Sequence, residues 1–89
     1  MTDTNAFRRT AIVAEIHAER DRQDAKWGGP EHDDSHSLFE WWGFMRERMV
    51  GRAYSGGRAA ERRDLIQIAA LALAAIESID RKTHSEAKP

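Results

Sequence analysis

The sequence predicts an all-α protein, a three-helix, hairpin-type bundle that oligomerisation completes. Three observations lead there. Asp64–Asp80 is rich in Ala, Leu, Gln and Glu, all strong helix formers, and contains neither Gly nor Pro. Glycine-bearing breaks near residues 27–37 and 54–57 divide the chain into three helix-length segments, and short connections make successive helices antiparallel neighbours. Finally, a chain of 89 residues has a marginal core of its own. The expected organisation is one helical domain over residues 1–82, with helices at about 5–26, 38–53 and 59–81, and a polar tail over 83–89.

The first helix opens at a cap supplied by Thr4 or Asn5. Phe7, Ala11, Ala14 and Ala18 form a small-residue stripe that invites close approach of another helix, with Ile12 and Ile16 beside it. Glu15 and Glu19 lie between the two stripes, four residues apart. Like charges at that spacing repel and need a cation, either an arginine or lysine (Arg8, Arg22 or Lys26) or a metal ion. Gly28-Gly29-Pro30 stops this helix. The loop that follows packs Glu31, His32, Asp33, Asp34 and His36 into six residues, and is read as a solvated, turn-forming segment. Its histidines lack the helical i, i+4 placement that a zinc face requires.

Ser37-Leu-Phe-Glu40 is a capping box that opens the second helix. Leu38, Trp42, Met45, Met49 and Ala53 recur at helical spacing and are expected to face the core. Trp41 and Phe44 fall off that face, as a subunit contact or a ligand platform would. Tyr54-Ser-Gly-Gly57 closes this helix. The third helix presents Leu65, Ile68, Ala69, Ala72, Leu73, Ile76 and Ile79 on one wide apolar arc, and Ala70, Leu71 and Ala74 carry apolar character round to the other side. A helix apolar nearly all round needs cover on more than one face, which points to a second copy of the chain. Arg58, Arg62 and Arg63 stand at its start, where arginine opposes the macrodipole and so has another purpose. From Arg81 the chain is polar and expected to fray.

Fourteen basic and fifteen acidic side chains nearly cancel, which argues against generic nucleic-acid or anionic-membrane binding. Cysteine is absent, so neither disulfides nor thiolate metal sites are available. The N-terminus lacks the apolar core of a signal peptide, and the expected location is the cytoplasm. No serine sits in a nucleophile elbow and no glycine-rich phosphate loop is present. In an up-down-up bundle, Glu19, Asp24, Lys26, Trp27, His32, Asp33, Asp34, His36, Glu77, Asp80 and Arg81 collect at one pole. Arg58, Arg62 and Arg63 lie at the other, where an antiparallel dimer would bring them to the partner's acidic pole.

Glu19-Arg-Asp-Arg-Gln-Asp-Ala-Lys-Trp-Gly28, then His32-Asp-Asp, then Asp64–Arg81 resemble small phage and prophage proteins, which in turn look like MazG-type all-α nucleotide pyrophosphohydrolases. The resemblance spans about Ala11 to Arg81 and implies an oligomeric nucleotide handler in a host cytoplasm. Such enzymes hold magnesium with a Glu-Glu-x-x-Glu set on one helix and a Glu-x-x-Asp set on the next. The first set falls here in Phe44–Arg52, where Glu47 survives among arginines, and the second reads Asp64-Leu-Ile-Gln67. Arginine repels a metal but grips phosphate directly.

Three readings follow. The first is non-catalytic binding of a phosphorylated nucleotide through Lys26, Trp27, His32, Arg46, Arg58, Arg62 and Arg63, without a cofactor; in a phage setting it would sequester a host defence signal nucleotide. The second is a divergent magnesium-dependent pyrophosphohydrolase whose ligands come from Glu15, Glu19, Glu47, Asp64, Glu77 and Asp80. The third is an inhibitor that docks on a host protein through Trp41, Phe44 and the alanine face.

Overall fold

The computed structural model describes residues 4–50 and 57–87, with side chains as far as His84. These residues fold into four helices: α1 (Thr4–Trp27), α2 (Gly29–Asp34), α3 (Leu38–Val50) and α4 (Gly57–Ala87). The described residues contain no strand. Three long helices appear as expected, but the segment read as a loop contains a helix of its own, α2, with Pro30 in its first turn. The third expected helix runs past residue 81 to Ala87, so the polar stretch continues the helix through that point. None of these helices is long and apolar enough to cross a membrane.

Glycine makes the α1–α2 junction. Gly28 has φ 111° and Gly29 φ 73°, left-handed values that cost other residues strain, and the Gly28 N–H closes α1 on the Asp24 carbonyl at 2.8 Å. Helix α3 opens as the capping box requires. The Ser37 N–H donates to Glu40 Oε1 at 3.0 Å, and the Glu40 N–H donates to Ser37 Oγ at 3.2 Å. Thr4 and Asn5 already lie within α1, so neither stands at the cap position expected of it. The second helix's expected end, Ala53 to Gly56, lies outside the described residues.

Helices α1 and α4 run in the same sense, with Glu15 paired to Arg62 and Arg20 to Glu77. Helix α3 returns antiparallel along α4: Arg48 meets Gln67 near one end, and the carbonyl preceding the helix, at His36, meets Lys82 near the other. Glu19 lies with Glu15 beside Arg62 and Arg63, against expectation, while Asp33, Asp34, Glu77 and Arg81 gather at one pole as the up-down-up reading expects.

The helix faces depart from expectation. On α3 the buried residue is Trp41, with Phe44 and Met45 packed beside it, whereas Leu38, Trp42 and Met49 are exposed. On α4 the buried side is Ala60, Ala70, Leu71, Ala74, Ala75 and Ser78, while Leu65, Ile76 and Ile79 of the expected core arc lie in solvent. The alanine stripe of α1 is exposed as well. The physical reason is common to all three. Alanines on the inner side of α4 let α1 and α3 approach closely, and polar partners then fix the rotation of each helix. Arg48 of α3 finds Gln67, and Asp34 finds Ser78 and Arg81.

The capping box gives a clean test of this local reading. Ser37→Ala should lower stability by about 1 kcal/mol, measured by urea denaturation, by removing the acceptor for the Glu40 N–H.

Candidate functional site

The C-terminal half of α1 turns a polar face inward. Arg20, Gln23 and Asp33 are each less than a tenth exposed. The Arg20 guanidinium donates to Asp33 Oδ2 at 3.1 Å, to Asp24 Oδ1 at 2.9 Å and to Gln23 Oε1 at 3.4 Å, and its Nε lies 3.5 Å from Glu77. One cation thus ties α1, α2 and α4 together. Beside it, Asp34 accepts from Ser78 Oγ at 2.8 Å and from Arg81 at 2.7 Å. The Arg81 guanidinium, then the Ser78 hydroxyl, hold the Asp34 carboxyl below its ordinary value of 3.8.

Above this ionic layer opens a cavity of about 360 Å³, lined by α1, α2, the α2–α3 connection, α3 and Leu71 of α4. Its walls are largely aromatic. His36 stands edge-on to Trp41 (5.3 Å between centroids), to Phe44 (4.9 Å) and to His32 (4.7 Å), and Trp27 contributes from α1. His32 Nε2 and His36 Nε2 are 3.1 Å apart, a hydrogen bond that survives only while at least one ring is neutral. His36 Nδ1 lies 3.3 Å from Glu40 Oε2, and the Ser37 N–H, then His36, hold the Glu40 carboxyl below its ordinary value. His32 of α2 and His36, two residues beyond that helix's end, therefore meet without sharing a helix.

Arg48 enters the cavity wall in a different state from its fellow arginines. Its Nε donates to Gln67 Oε1 at 3.2 Å and its Nη1 to the Phe44 carbonyl at 3.0 Å, both neutral acceptors. Arg20, Arg22, Arg62 and Arg81 are each hydrogen-bonded to a carboxylate.

The sequence-derived candidates divide. Trp27, His32 and Glu47 line the cavity. Lys26 lies outside it, 5.1 Å over the Trp27 ring, and Arg46 and Arg58 are exposed. Arg62 and Arg63 border a second, more open cleft of about 400 Å³ with Glu15 and Glu19. There Arg62 grips Glu15 through both carboxylate oxygens, and Arg22 grips Glu19 at 2.8 and 2.6 Å. Glu15 is lowered by Arg62, and Glu19 by Arg22 first, with Gln23 and Arg48 adding to it. The cation that the two glutamates required is arginine from α1 and α4. Asp64 is buried on α4 with Arg63 Nε at 3.7 Å, Glu77 faces Arg20, and Asp80 is exposed. Among the described residues no group of three or more His, Asp or Glu is placed to hold a metal ion.

The residues that sequence reasoning missed are Arg20, Gln23 and Arg48, with Trp41 and Phe44 recognised as special but assigned to the outside. The available signal was Arg20 and Gln23 on the inward side of α1, continuing the Ile12–Ile16 line at helical spacing. Comparison with models of protein families, with curated proteins and with solved structures gives no match.

Two outcomes follow. Arg20→Ala, which strands Asp33 in a buried position, should cost about 3–5 kcal/mol in chemical denaturation. The Asp34–Arg81 contact should show the sign of a lowered carboxyl: its contribution is complete above the ordinary value of 3.8 and is lost as pH falls through the lowered folded value. Urea midpoints measured from pH 6 downward should therefore fall less steeply in Asp34→Asn than in the parent.

Proposed function

We propose that the chain binds a phosphorylated nucleotide in the aromatic cavity without turning it over. The observation that carries this reading is Arg48: a guanidinium fixed by neutral acceptors, on the wall of a cavity rich in aromatic rings. Its fixed geometry suits a phosphate oxygen, since arginine offers a rigid fork of donors and its neighbours here supply no direct carboxylate bond. Trp27, Trp41 and Phe44 give a planar base surfaces to stack on, and Gln23 and Glu47 offer polar groups for its edge. Arg20 lines the same cavity but spends its donors on Asp33, Asp24 and Gln23, so its role is to hold the wall.

The phosphate contact moves, relative to the sequence reading, from Arg58, Arg62 and Arg63 to Arg48. Retention without hydrolysis is supported by the thinning of the acidic sets that the resemblance implies: Glu47 remains among arginines on α3 and Asp64 on α4, where Arg48 bonds Gln67. Capture of this kind lowers the free concentration of its ligand, which is how such a protein would blunt a host signal nucleotide.

A thermal-shift screen of mono-, di- and cyclic nucleotides, run with magnesium and with a chelator, tests the reading. A ligand at 100 times its dissociation constant stabilises by about 2.7 kcal/mol, which raises the melting temperature of a domain of this size by roughly 10 °C or more. The shift should persist in chelator, weaken with salt, and vanish in Arg48→Ala and Trp27→Ala while Arg62→Ala retains it. Magnesium-dependent phosphate or pyrophosphate release that Glu19→Gln abolishes would hand the case to a hydrolase.

A further inference from the structure

We infer that the cavity takes a nucleotide whose single phosphate carries one negative charge, a 3′,5′-cyclic mononucleotide, in preference to monoesters and polyphosphates. This names the ligand class of the site proposed above and rests on that reading. The first support is the supply of donors. A guanidinium has five N–H groups in a planar fork. Arg48 spends its Nε on Gln67 Oε1 at 3.2 Å and one Nη1 hydrogen on the Phe44 carbonyl at 3.0 Å. Nη2 makes no hydrogen bond among the described residues, so Nη2 and the second Nη1 hydrogen are left to grip an anion side by side. A phosphodiester offers two non-bridging oxygens and one charge, which one such fork satisfies.

The second support is the balance of charge. The other arginine of the cavity, Arg20, is neutralised by Asp33 at 3.1 Å, with Asp24 and Glu77 also beside it. The His32–His36 bond keeps at least one of those rings neutral, and Glu40 stands 3.3 Å from His36. Arg48 itself already acts on Glu19, whose carboxyl is lowered by Arg22 first and by Arg48 in addition. Glu47 adds a carboxylate to the same wall. One cation therefore meets the ligand, with none in reserve. A phosphate monoester carries about −1.5 to −2 charges at neutral pH, and a triphosphate more. The surplus would meet Glu47 and not a second guanidinium.

Size points the same way. At about 360 Å³ the cavity stands near the small end of the ligand-site range, about 300–1,000 Å³, the space of one nucleotide and not of two linked ones. Closing the phosphate on the ribose also removes rotors that a chain of phosphates would have to freeze on binding.

Isothermal titration of the full chain in chelator tests the preference, comparing 3′,5′-cyclic AMP with 5′-AMP and ATP, and 3′,5′-cyclic GMP with 5′-GMP and GTP. For the preferred base, the cyclic form should bind at least about tenfold more tightly than the monoester or the triphosphate. Glu47→Gln, which keeps a polar group and removes the charge, should narrow that ratio by raising the affinity of the more highly charged ligands. Arg48→Lys, which keeps the charge and removes the fork, should weaken the cyclic nucleotide most. A monoester or triphosphate that binds as tightly as the cyclic form while still requiring Arg48, or a ratio unmoved by Glu47→Gln, would overturn the inference and leave the nucleotide reading standing. Binding indifferent to Arg48, or none by any of the six, would overturn both.

Discussion

The Arg20–Asp33 pair is the contact on which the rest of the architecture depends. A guanidinium and a carboxylate, each about 10% exposed, meet at 3.1 Å, and the same arginine reaches Asp24, Gln23 and Glu77. Burying such a pair is seldom a net gain against apolar groups of the same size, but separating it is expensive. Its consequence is therefore specificity. With the pair made, α2 can dock only where Asp33 reaches α1, which delivers Asp34 to Ser78 and Arg81 and places His32 against His36. The cavity walls follow from that placement, since His36 is the ring against which Trp41 and Phe44 are set.

Electrostatics then sorts the arginines into two kinds. Those bound to carboxylates have local work: Arg22 and Arg62 neutralise Glu19 and Glu15, and Arg81 neutralises Asp34. Such pairs brace the helices and leave little field for a ligand. Arg48 is held as firmly, but by an amide oxygen and a main-chain carbonyl, so its orientation is fixed while its charge is not cancelled by a bonded anion. A cation that is oriented and hydrogen-bonded to no carboxylate, against aromatic rings, is the arrangement that makes an anionic planar ligand a physically sensible occupant.

Much of the fold was legible in the sequence. Gly28-Gly29-Pro30 had to end a helix, Ser37 and Glu40 had to begin one, and Asp64–Asp80 had to be helical. The pole at which His32, Asp33, Asp34, Glu77 and Arg81 gather followed from alternating helix direction. The site was less legible. Trp27, His32 and Glu47 were found by type, but Arg62 and Arg63 were given the ligand because they lay free at a helix start, and the sequence does not reveal that Glu15 reaches Arg62 from another helix. The short helix α2 escaped because glycine, proline, aspartate and histidine are poor helix formers; tertiary contacts at Asp33 and Asp34 override that weak local preference.

The mistaken faces of α3 and α4 have a more general cause. Apolar periodicity identifies a stripe that must leave water, but it does not say whether the chain's own core or another copy covers it. On α4 both sides qualify, one with alanines and one with branched side chains, and hydrophobicity alone selects the branched side. The deciding terms are polar. Ser78, Gln67 and Asp64 all lie on the alanine side, two of them bonded to partners on α2 and α3, and a buried serine or glutamine cannot be left without them. Those few directional bonds turn the small-residue side inward. The larger aliphatic residues Leu65, Ile76 and Ile79 are thereby left on the outer side.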